Sequence, residues 1–375
     1  MARDIRKLGR RLPGLQVLIV SGGTPSRPQR DALRLGVHIV VGTPGRTLDL
    51  LKRGDLWLGN ISTLVLDEAD RMLDMGFEED MTEIMEAAPS SRQTVLFSAT
   101  FPDEIKAISK RYQYEPKHVV ITEDAAEKPT IQQIVVDSVQ EDKLSDLMAV
   151  LQLYKPQSAI VFCNLKVSVA EIGAKLAQLG VGADALHGDL MQEDRDRVMA
   201  MFRNGSIRVL VATDVAARGL DVADLDLVVN YELPLHMDDY VHRIGRTGRA
   251  GKHGVAVTLA VSRERLRLAE FERESGGKVE LIQLKKSDTL PYLQLEAARQ
   301  TVLISGGRKD KVRPGDILGA LTGETGRLNA SDIGKIEIHD RYSYVGVSRG
   351  VAASEIQKLK SGKIKGRLFM IRLLR

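Results

Sequence analysis

The chain has 375 residues, too long for one ordinary domain and suited to two or three. Hydrophobic residues make up 43% and charged residues 28%, with Gly and Pro near average, which allows real cores and excludes wholesale disorder. The one cysteine, Cys163, excludes an internal disulfide, and no apolar run reaches the roughly 18 residues of a membrane span.

The net charge of +4 is unevenly placed. From Thr301 to Arg375, 15 Lys and Arg face 7 Asp and Glu, a net of +8, while the preceding residues carry 39 against 43, a net of −4. A basic tail on a mildly acidic body points to a polyanion at the C-terminal end, or to lysines that only keep the tail soluble. Cys163 closes the apolar run Ala159–Cys163 and reads as a buried strand residue. His187, His236, His242 and His253 lack partners at metal-ligand spacing. A cytoplasmic monomer with no membrane association is expected.

In chain order, Ile5, Leu8 and Leu12 recur at helical spacing and Asp4 interrupts the basic run, which predicts an amphipathic helix rather than a targeting segment. Strands are expected at Leu15–Val20, His38–Val41, Thr63–Leu66, Thr94–Ser98 and His118–Ile121. The polar stretch Glu123–Thr130, with Pro129, reads as a linker. A second set of strands follows at Gln133–Asp137, Ala159–Asn164, Ala183–Leu186, Val209–Thr213, Leu227–Tyr231 and Val255–Ala260. Helical stretches such as Glu79–Ala87, Lys143–Tyr154, Val167–Gly180 and Gln192–Asn204 lie between. Strands rich in Val, Ile and Leu without alternation are buried on both faces, and strand–helix alternation builds doubly wound parallel sheets. After a break near Lys285–Ala298 the pattern changes. Thr301–Ser305, Ile333–Ile338, Tyr342–Val347 and Leu368–Leu373 read as strands, and Pro314–Leu321 and Ala352–Leu359 as helices. That βαββαβ order fits a ferredoxin-like, RNA-recognition type of domain. The fold class is therefore α/β, with domains over 1–123, 131–285 and 300–375.

Asp67-Glu68-Ala69-Asp70 closes an apolar strand, where parallel sheets place ligands. There Asp67 would hold Mg²⁺ beside ATP phosphates and Glu68 would orient the attacking water; taken alone, the four residues could equally be a solvated acidic turn. Ser98-Ala99-Thr100 follows the next strand. The string Val211-Ala212-Thr213-Asp214-Val215-Ala216-Ala217-Arg218-Gly219-Leu220-Asp221 and the string His242-Arg243-Ile244-Gly245-Arg246-Thr247-Gly248-Arg249-Ala250-Gly251 come later.

With Gly22-Gly23, Thr43-Pro44-Gly45-Arg46, and Gln192 with Arg195 in the same order, the chain resembles the DEAD-box family of superfamily 2 RNA helicases over nearly its whole length. The resemblance implies two RecA-like domains, ATP and Mg²⁺ as cofactors, and a role for each matching residue. Asp67 and Glu68 become the Mg²⁺ and water-activating carboxylates. Asp70, Ser98 and Thr100 couple ATP state to RNA strain, Asp221 contacts the ribose, and His242 bridges the domains. Arg246 and Arg249 become arginine fingers aimed at the γ-phosphate, a role suited to a planar cation that cannot lose its charge. Gly22, Gly23, Thr43, Gly45, Arg46, Gln192, Arg195 and Thr213 match positions that grip the RNA sugar–phosphate backbone, contacts that carry no sequence information.

The tail strings Gly306–Lys311, Arg313–Thr322 and Gly362–Arg367 resemble the DEAD-box protein A type, in which the tail recognises a structured hairpin of large-subunit ribosomal RNA and recruits the helicase to the assembling subunit. Lys363, Lys365 and Arg367 are the expected RNA contacts. Tyr342 and Tyr344 share one strand face and either stack on bases or pack into a core. The glycine–aromatic signature of an RNA-recognition strand is missing, which favours the basic loops. No Gly-x-x-x-x-Gly-Lys-Ser/Thr loop and no adenine-reading segment occur in the sequence, and Met1–Leu8 resembles the helix that follows the family's Pro-Thr-Arg-Glu-Leu motif. The expectation is an incomplete first domain from a truncated reading frame or misplaced start codon. The alternative function is a non-catalytic fragment that binds ribosomal RNA.

Overall fold

The computed structural model describes residues 1–121, 131–217, 222, 224–248, 253–275, 279–284, 292–323, 326–351 and 363–374. They form two compact units, Met1–Thr122 and Glu123–Arg375. The expected linker Glu123–Thr130 and helix Ala352–Leu359 lie outside the described residues, as do Asp221 and Arg249.

The first unit runs α1 (Ala2–Leu8), β1 (Val17–Val20), α2 (Ser26–Leu35), β2 (Ile39–Gly42), α3 (Pro44–Lys52), β3 (Thr63–Leu66), α4 (Ala69–Asp74), α5 (Glu78–Glu86), β4 (Gln93–Leu96) and α6 (Asp103–Tyr112). Strands β1 and β2 pair in parallel, and so do β3 and β4, as two separate two-stranded sheets. Helix α5 serves both. Its Ile84 packs with Val20, Leu48 and Leu50, while Met81 and Met85, on the adjoining face, pack with Leu66, Ile105 and Ile108. Each α/β pair thus buries one face with α5 as a shared wall.

Two expectations fail here. His118–Ile121 is not a strand; Val119, Val120 and Ile121 are more than 80% exposed. A strand needs a partner edge, and no described strand pairs with this run. The N-terminal helix forms, but Leu8 and Leu12 are exposed and Ala2 is the buried contact. Arg6 ties the helix down by donating to the Val17 carbonyl at 2.6 Å.

The second unit opens with β5 (Ile131–Ser138), α7 (Lys143–Tyr154), β6 (Ala159–Phe162), α8 (Lys166–Gln178), β7 (Ala183–Leu186), α9 (Gln192–Arg203), β8 (Val209–Ala212) and α10 (Asp214–Ala217). It continues with β9 (Leu227–Asn230), α11 (Met237–Ile244), β10 (Gly254–Val261), α12 (Arg265–Ser275) and β11 (Val279–Ile282). These strands make one parallel sheet in the order β11-β5-β10-β9-β6-β8-β7. Successive side chains point to opposite faces. Val135, Ile160, Leu210 and Val228 pack on one face, and Ile134, Val161, Val211 and Val229 on the other. Burial on both faces explains why these strands read as unbroken apolar runs. Cys163 is buried as expected, and desolvation pushes its thiol well above the usual range, so it is inert.

The chain from Tyr292 to Ala298 does not hang free: Leu293 and Leu295 are buried against the parallel sheet's core, and Gly182 donates to the Leu295 carbonyl at 3.0 Å. Then β12 (Arg299–Ile304), α13 (Pro314–Thr322), β13 (Ile333–Ile338), β14 (Ser343–Ser348), β15 (Lys363–Ile364), β16 (Arg367–Leu368) and β17 (Ile371–Leu373) follow. The antiparallel sheet has the order β13-β14-β12-β17. The expected strand Leu368–Leu373 is divided between a small hairpin, β15–β16, and β17.

The two faces of this sheet have different partners. Val302, Ile304, Val345 and Val347 pack on Ile317 and Leu321 of α13. The opposite face, with Leu303 and Tyr344, packs into the core of the preceding domain. Helix α9 is the contact. Arg203 forks onto Glu337 at 2.8 and 2.7 Å, and Asn204, Ser206 and Thr301 form a buried triad with bonds of 2.9 and 2.8 Å. A Cβ on Gly346 would stand 3.0 Å from Asn204, so glycine lets the strand approach the helix end.

Candidate functional site

Parallel pairing of β3 with β4 brings Asp67–Asp70 and Ser98–Thr100 to the same end of two adjacent strands. Asp67 and Glu68 are exposed there, and Glu68 lies in the left-handed region (φ 54°, ψ 50°) at the start of α4. A non-glycine residue there costs about 1–3 kcal/mol. Asp70 faces the other way and is 5% exposed. Its Oδ2 accepts from the backbone N–H groups of Ala99 (3.1 Å) and Thr100 (2.8 Å) and from the Thr100 hydroxyl (2.9 Å), and its Oδ1 from Arg71 N–H (2.9 Å). The Asp70 N–H in turn donates to the Ser98 hydroxyl at 3.2 Å. Burial alone would raise the Asp70 pKa; the bonds from Thr100, Arg71 and Ser98 outweigh it and hold the carboxyl below its usual value. The exposed pair is free to meet a cation, while Asp70 ties the two loops together.

The β1–β2 pair does the same for the glycine loop and the Thr43–Arg46 turn. Gln29, buried on α2, donates to the Ser21 carbonyl and the Thr24 hydroxyl at 3.2 and 2.7 Å. Arg46 donates to the Thr24 carbonyl and to Gln29 Oε1 at 3.2 and 3.3 Å. Gly23 sits at φ 72°, and a Cβ on Gly22 would meet nothing, so the loop turns tightly with its backbone open to a ligand. Thr43 precedes α3, and its N–H donates to the Val20 carbonyl at 3.0 Å. Gln29 belongs to none of the motifs, so motif matching misses it; helical spacing after a glycine loop is its only signal in the sequence.

In the second unit Gln192 opens α9, and Arg195 lies three residues along. The Thr213 hydroxyl accepts from Ala216 N–H at 3.3 Å and caps α10. Between His242 and Arg246 stands a residue to which the resemblance assigns no role. Arg243 is 1% exposed and uses its whole guanidinium: Asp214 takes two bonds at 2.7 Å, Asn164 Oδ1 one at 2.7 Å and the Glu232 carbonyl one at 2.6 Å. Its Cζ lies 5.1 Å from the centre of the Phe162 ring. The two long motif strings are thereby locked together. The Arg246 carbonyl accepts from Leu225 N–H at 3.1 Å, and Thr247 bonds the Leu225 carbonyl, which fixes the loop that carries Arg246.

In the third domain, Lys363, Lys365 and Arg367 are exposed on the β15–β16 hairpin, turned by Lys365 (φ 51°) and Gly366 (φ 75°). Ile364 anchors it in the core shared with α13. Lys365 Nζ donates to the Lys311 carbonyl at 3.1 Å, joining two of the basic strings. Lys363 and Lys365 border a shallow depression lined by Gly315, Asp316 and Gly319 of α13 and by Gly323 just after it. Of the two roles open to Tyr342 and Tyr344, the fold uses packing: both turn to α9, Tyr344 is buried, and the Tyr342 hydroxyl donates to Asp196 at 3.2 Å.

Three family profiles match this arrangement: DEAD/DEAH box helicase over residues 1–108, helicase conserved C-terminal domain over 142–251, and DbpA RNA binding domain over 301–373. ATP-dependent RNA helicase DbpA of Escherichia coli is 45% identical over 380 residues, which cover 100% of this chain and 81% of that protein. The chain belongs to the DbpA family of DEAD-box RNA helicases. DbpA of Bacillus subtilis is 38% identical, covering 97% of this chain and 80% of its own. Among solved structures, S. cerevisiae Dbp5 bound to RNA and ADP BeF3 superposes with a TM-score of 0.67 at 30% identity, over 75% of this chain and 73% of that one. The fold class is thus two RecA-like domains and a C-terminal DbpA RNA-binding domain. Membership in the DbpA family implies RNA-dependent ATP use. Among the described residues no helix is long and apolar enough to cross a membrane.

Proposed function

We propose that the chain acts as a monomer in the cytoplasm on a structured hairpin of large-subunit ribosomal RNA during assembly of that subunit, with its third domain choosing the RNA and its two helicase domains working on the neighbouring strand. The functional division follows residues 1–123, 131–285 and 300–375. What carries the reading is the use of the two sheet faces in the third domain. One face is covered by α9 and the other by α13, so RNA is met off the sheet, where Lys363 and Lys365 stand beside glycines that let a phosphate backbone come close and Arg367 is exposed on the same hairpin.

Gly22, Gly23, Thr43, Gly45, Arg46, Gln192, Arg195 and Thr213 then grip the backbone without regard to sequence. ATP, when bound, would supply the phosphoanhydride, with Mg²⁺ to balance its charge. Asp67 would hold the cation, Glu68 would orient water, Asp221 would take the ribose, and His242, Arg246 and Arg249 would answer the phosphate charge. The exposed acid pair fits that chemistry, and Asp70, three residues from Asp67, is hydrogen-bonded to Ser98 and Thr100, so the two loops are tied where the cation would sit.

A second reading is a chain that binds ribosomal RNA without hydrolysing ATP; the exposed basic hairpin of the third domain, anchored through Ile364 in that domain's own core, would serve binding alone. RNA-stimulated phosphate release separates the two. Under the first reading Glu68→Gln abolishes turnover and leaves RNA binding intact; turnover equal to the parent would show Glu68 misassigned. Absence of parental turnover with retained hairpin binding supports the second.

A further inference from the structure

Asp196 lies one turn after Gln192 on α9 and joins two domains. Its Oδ1 accepts from Gln192 Nε2 at 2.8 Å. Its Oδ2 accepts from the Tyr342 hydroxyl at 3.2 Å and stands 3.4 Å from His339 Nδ1, both in the third domain. His339 is stacked on Tyr342 with ring centres 4.9 Å apart, and Tyr344 closes the cluster edge-on at 5.4 Å. One carboxylate therefore holds a helicase-domain glutamine with one oxygen and the docked RNA-binding domain with the other.

We infer that Asp196 is a positioning residue through which the docked third domain sets how the helicase domain presents Gln192 to RNA. The inference rests on the reading of Gln192 as a backbone contact. Two physical effects act together. A glutamine already fixed in one rotamer loses less side-chain entropy when it meets a ligand. The Tyr342 hydroxyl and His339 also answer the Asp196 charge, which otherwise stands beside Glu193 and Asp194 on the same turn and repels phosphate. Arg195 and Arg197 supply the only positive charge on that stretch of α9. Docking of the third domain therefore favours RNA binding at a site that the third domain does not itself touch.

The test uses the full chain and two probes: a short single-stranded RNA without secondary structure and the ribosomal hairpin. Tyr342→Phe combined with His339→Ala leaves Gln192 and Asp196 in place. It weakens binding of the single strand roughly three- to tenfold, while hairpin affinity stays within twofold and the melting temperature of the second unit is kept. Asp196→Ala releases Gln192 but also removes the repelling charge, so it weakens single-strand binding less than the Tyr342/His339 variant does, and Asp196→Asn, which keeps an acceptor for Gln192 without the charge, binds the single strand at least as tightly as the parent. Equal affinity of the Tyr342/His339 variant and the parent for the single strand, where Gln192→Ala weakens it, overturns the coupling and leaves Gln192 as an RNA contact. No effect from Gln192→Ala overturns the reading of Gln192 and the inference with it.

Discussion

Asp70 and Arg243 each fix a motif by saturating its hydrogen-bonding capacity, and each makes a sharp prediction. The Asp70 carboxylate accepts four bonds in a buried setting. Asparagine there must set its amide donor against a backbone N–H, that of Arg71 or those of Ala99 and Thr100, so Asp70→Asn lowers stability of the first unit by about 1–3 kcal/mol at neutral pH. Because the folded pKa of Asp70 is depressed, the stability it contributes is fully present above the ordinary carboxylate pKa of about 4 and is lost as pH falls through the folded value. Denaturant melts at several pH values should therefore show the gap between parent and Asp70→Asn narrowing only below about pH 4; a gap independent of pH down to the acid limit would contradict the assignment. For Arg243, a lysine can replace neither the fork onto Asp214 nor the bond to Asn164, and Arg243→Ala leaves Asp214 unpaired at a cost of about 3–5 kcal/mol. Urea unfolding of the second unit reads this directly, with Arg243→Lys intermediate. Asp67–Asp70, Ser98–Thr100 and the string that ends β8 were legible because they follow apolar strands, and the string from His242, which begins inside α11, by its residue order alone. The division of labour inside them was not. Which arginine of His242–Arg249 faces inward depends on Asp214, Asn164 and Glu232, brought together only by the parallel sheet.

At the scale of elements, α9 does two jobs, and the sequence showed one. Its apolar periodicity and the positions of Gln192 and Arg195 are readable, but nothing local marks Arg203 and Asn204 as more than a polar helix end. Their partners, Glu337 and Thr301, lie far along the chain in another domain, and no local pattern encodes that distance. Both side chains of the Arg203–Glu337 pair are under a quarter exposed, so it is screened less than a surface pair. A double-mutant cycle with Arg203→Ala and Glu337→Ala should give a coupling of about 1–3 kcal/mol in the stability of the second unit; coupling near zero would show that the fork is incidental. The failed strand at His118–Ile121 teaches the complementary lesson. Its run of β-branched residues satisfies a strand pattern, yet a strand exists only with a paired edge, and β4 does not pair with that run. The tyrosines at 342 and 344 could not be resolved in advance because base-stacking and docking ask for the same alternation.

Across the whole molecule, charge follows architecture. Within the second unit, the helicase domain and the basic third domain meet through a hydrogen-bonded seam at α9, and positive charge is left on the β15–β16 hairpin and the Arg308–Lys311 turn. Selection of RNA by this hairpin, rather than by the sheet face, is the proposition on which the functional reading stands. It is exposed most sharply by the salt dependence of binding to the ribosomal hairpin and to an unrelated hairpin of equal length, for the parent chain and for the triple variant Lys363→Ala, Lys365→Ala, Arg367→Ala. The parent should prefer the ribosomal hairpin. In the triple variant that preference should fall at least tenfold, and the slope of log K against log salt should become shallower by about 2–3, roughly 0.9 for each phosphate no longer neutralised. An unchanged affinity ratio together with an unchanged slope would show that RNA is selected elsewhere.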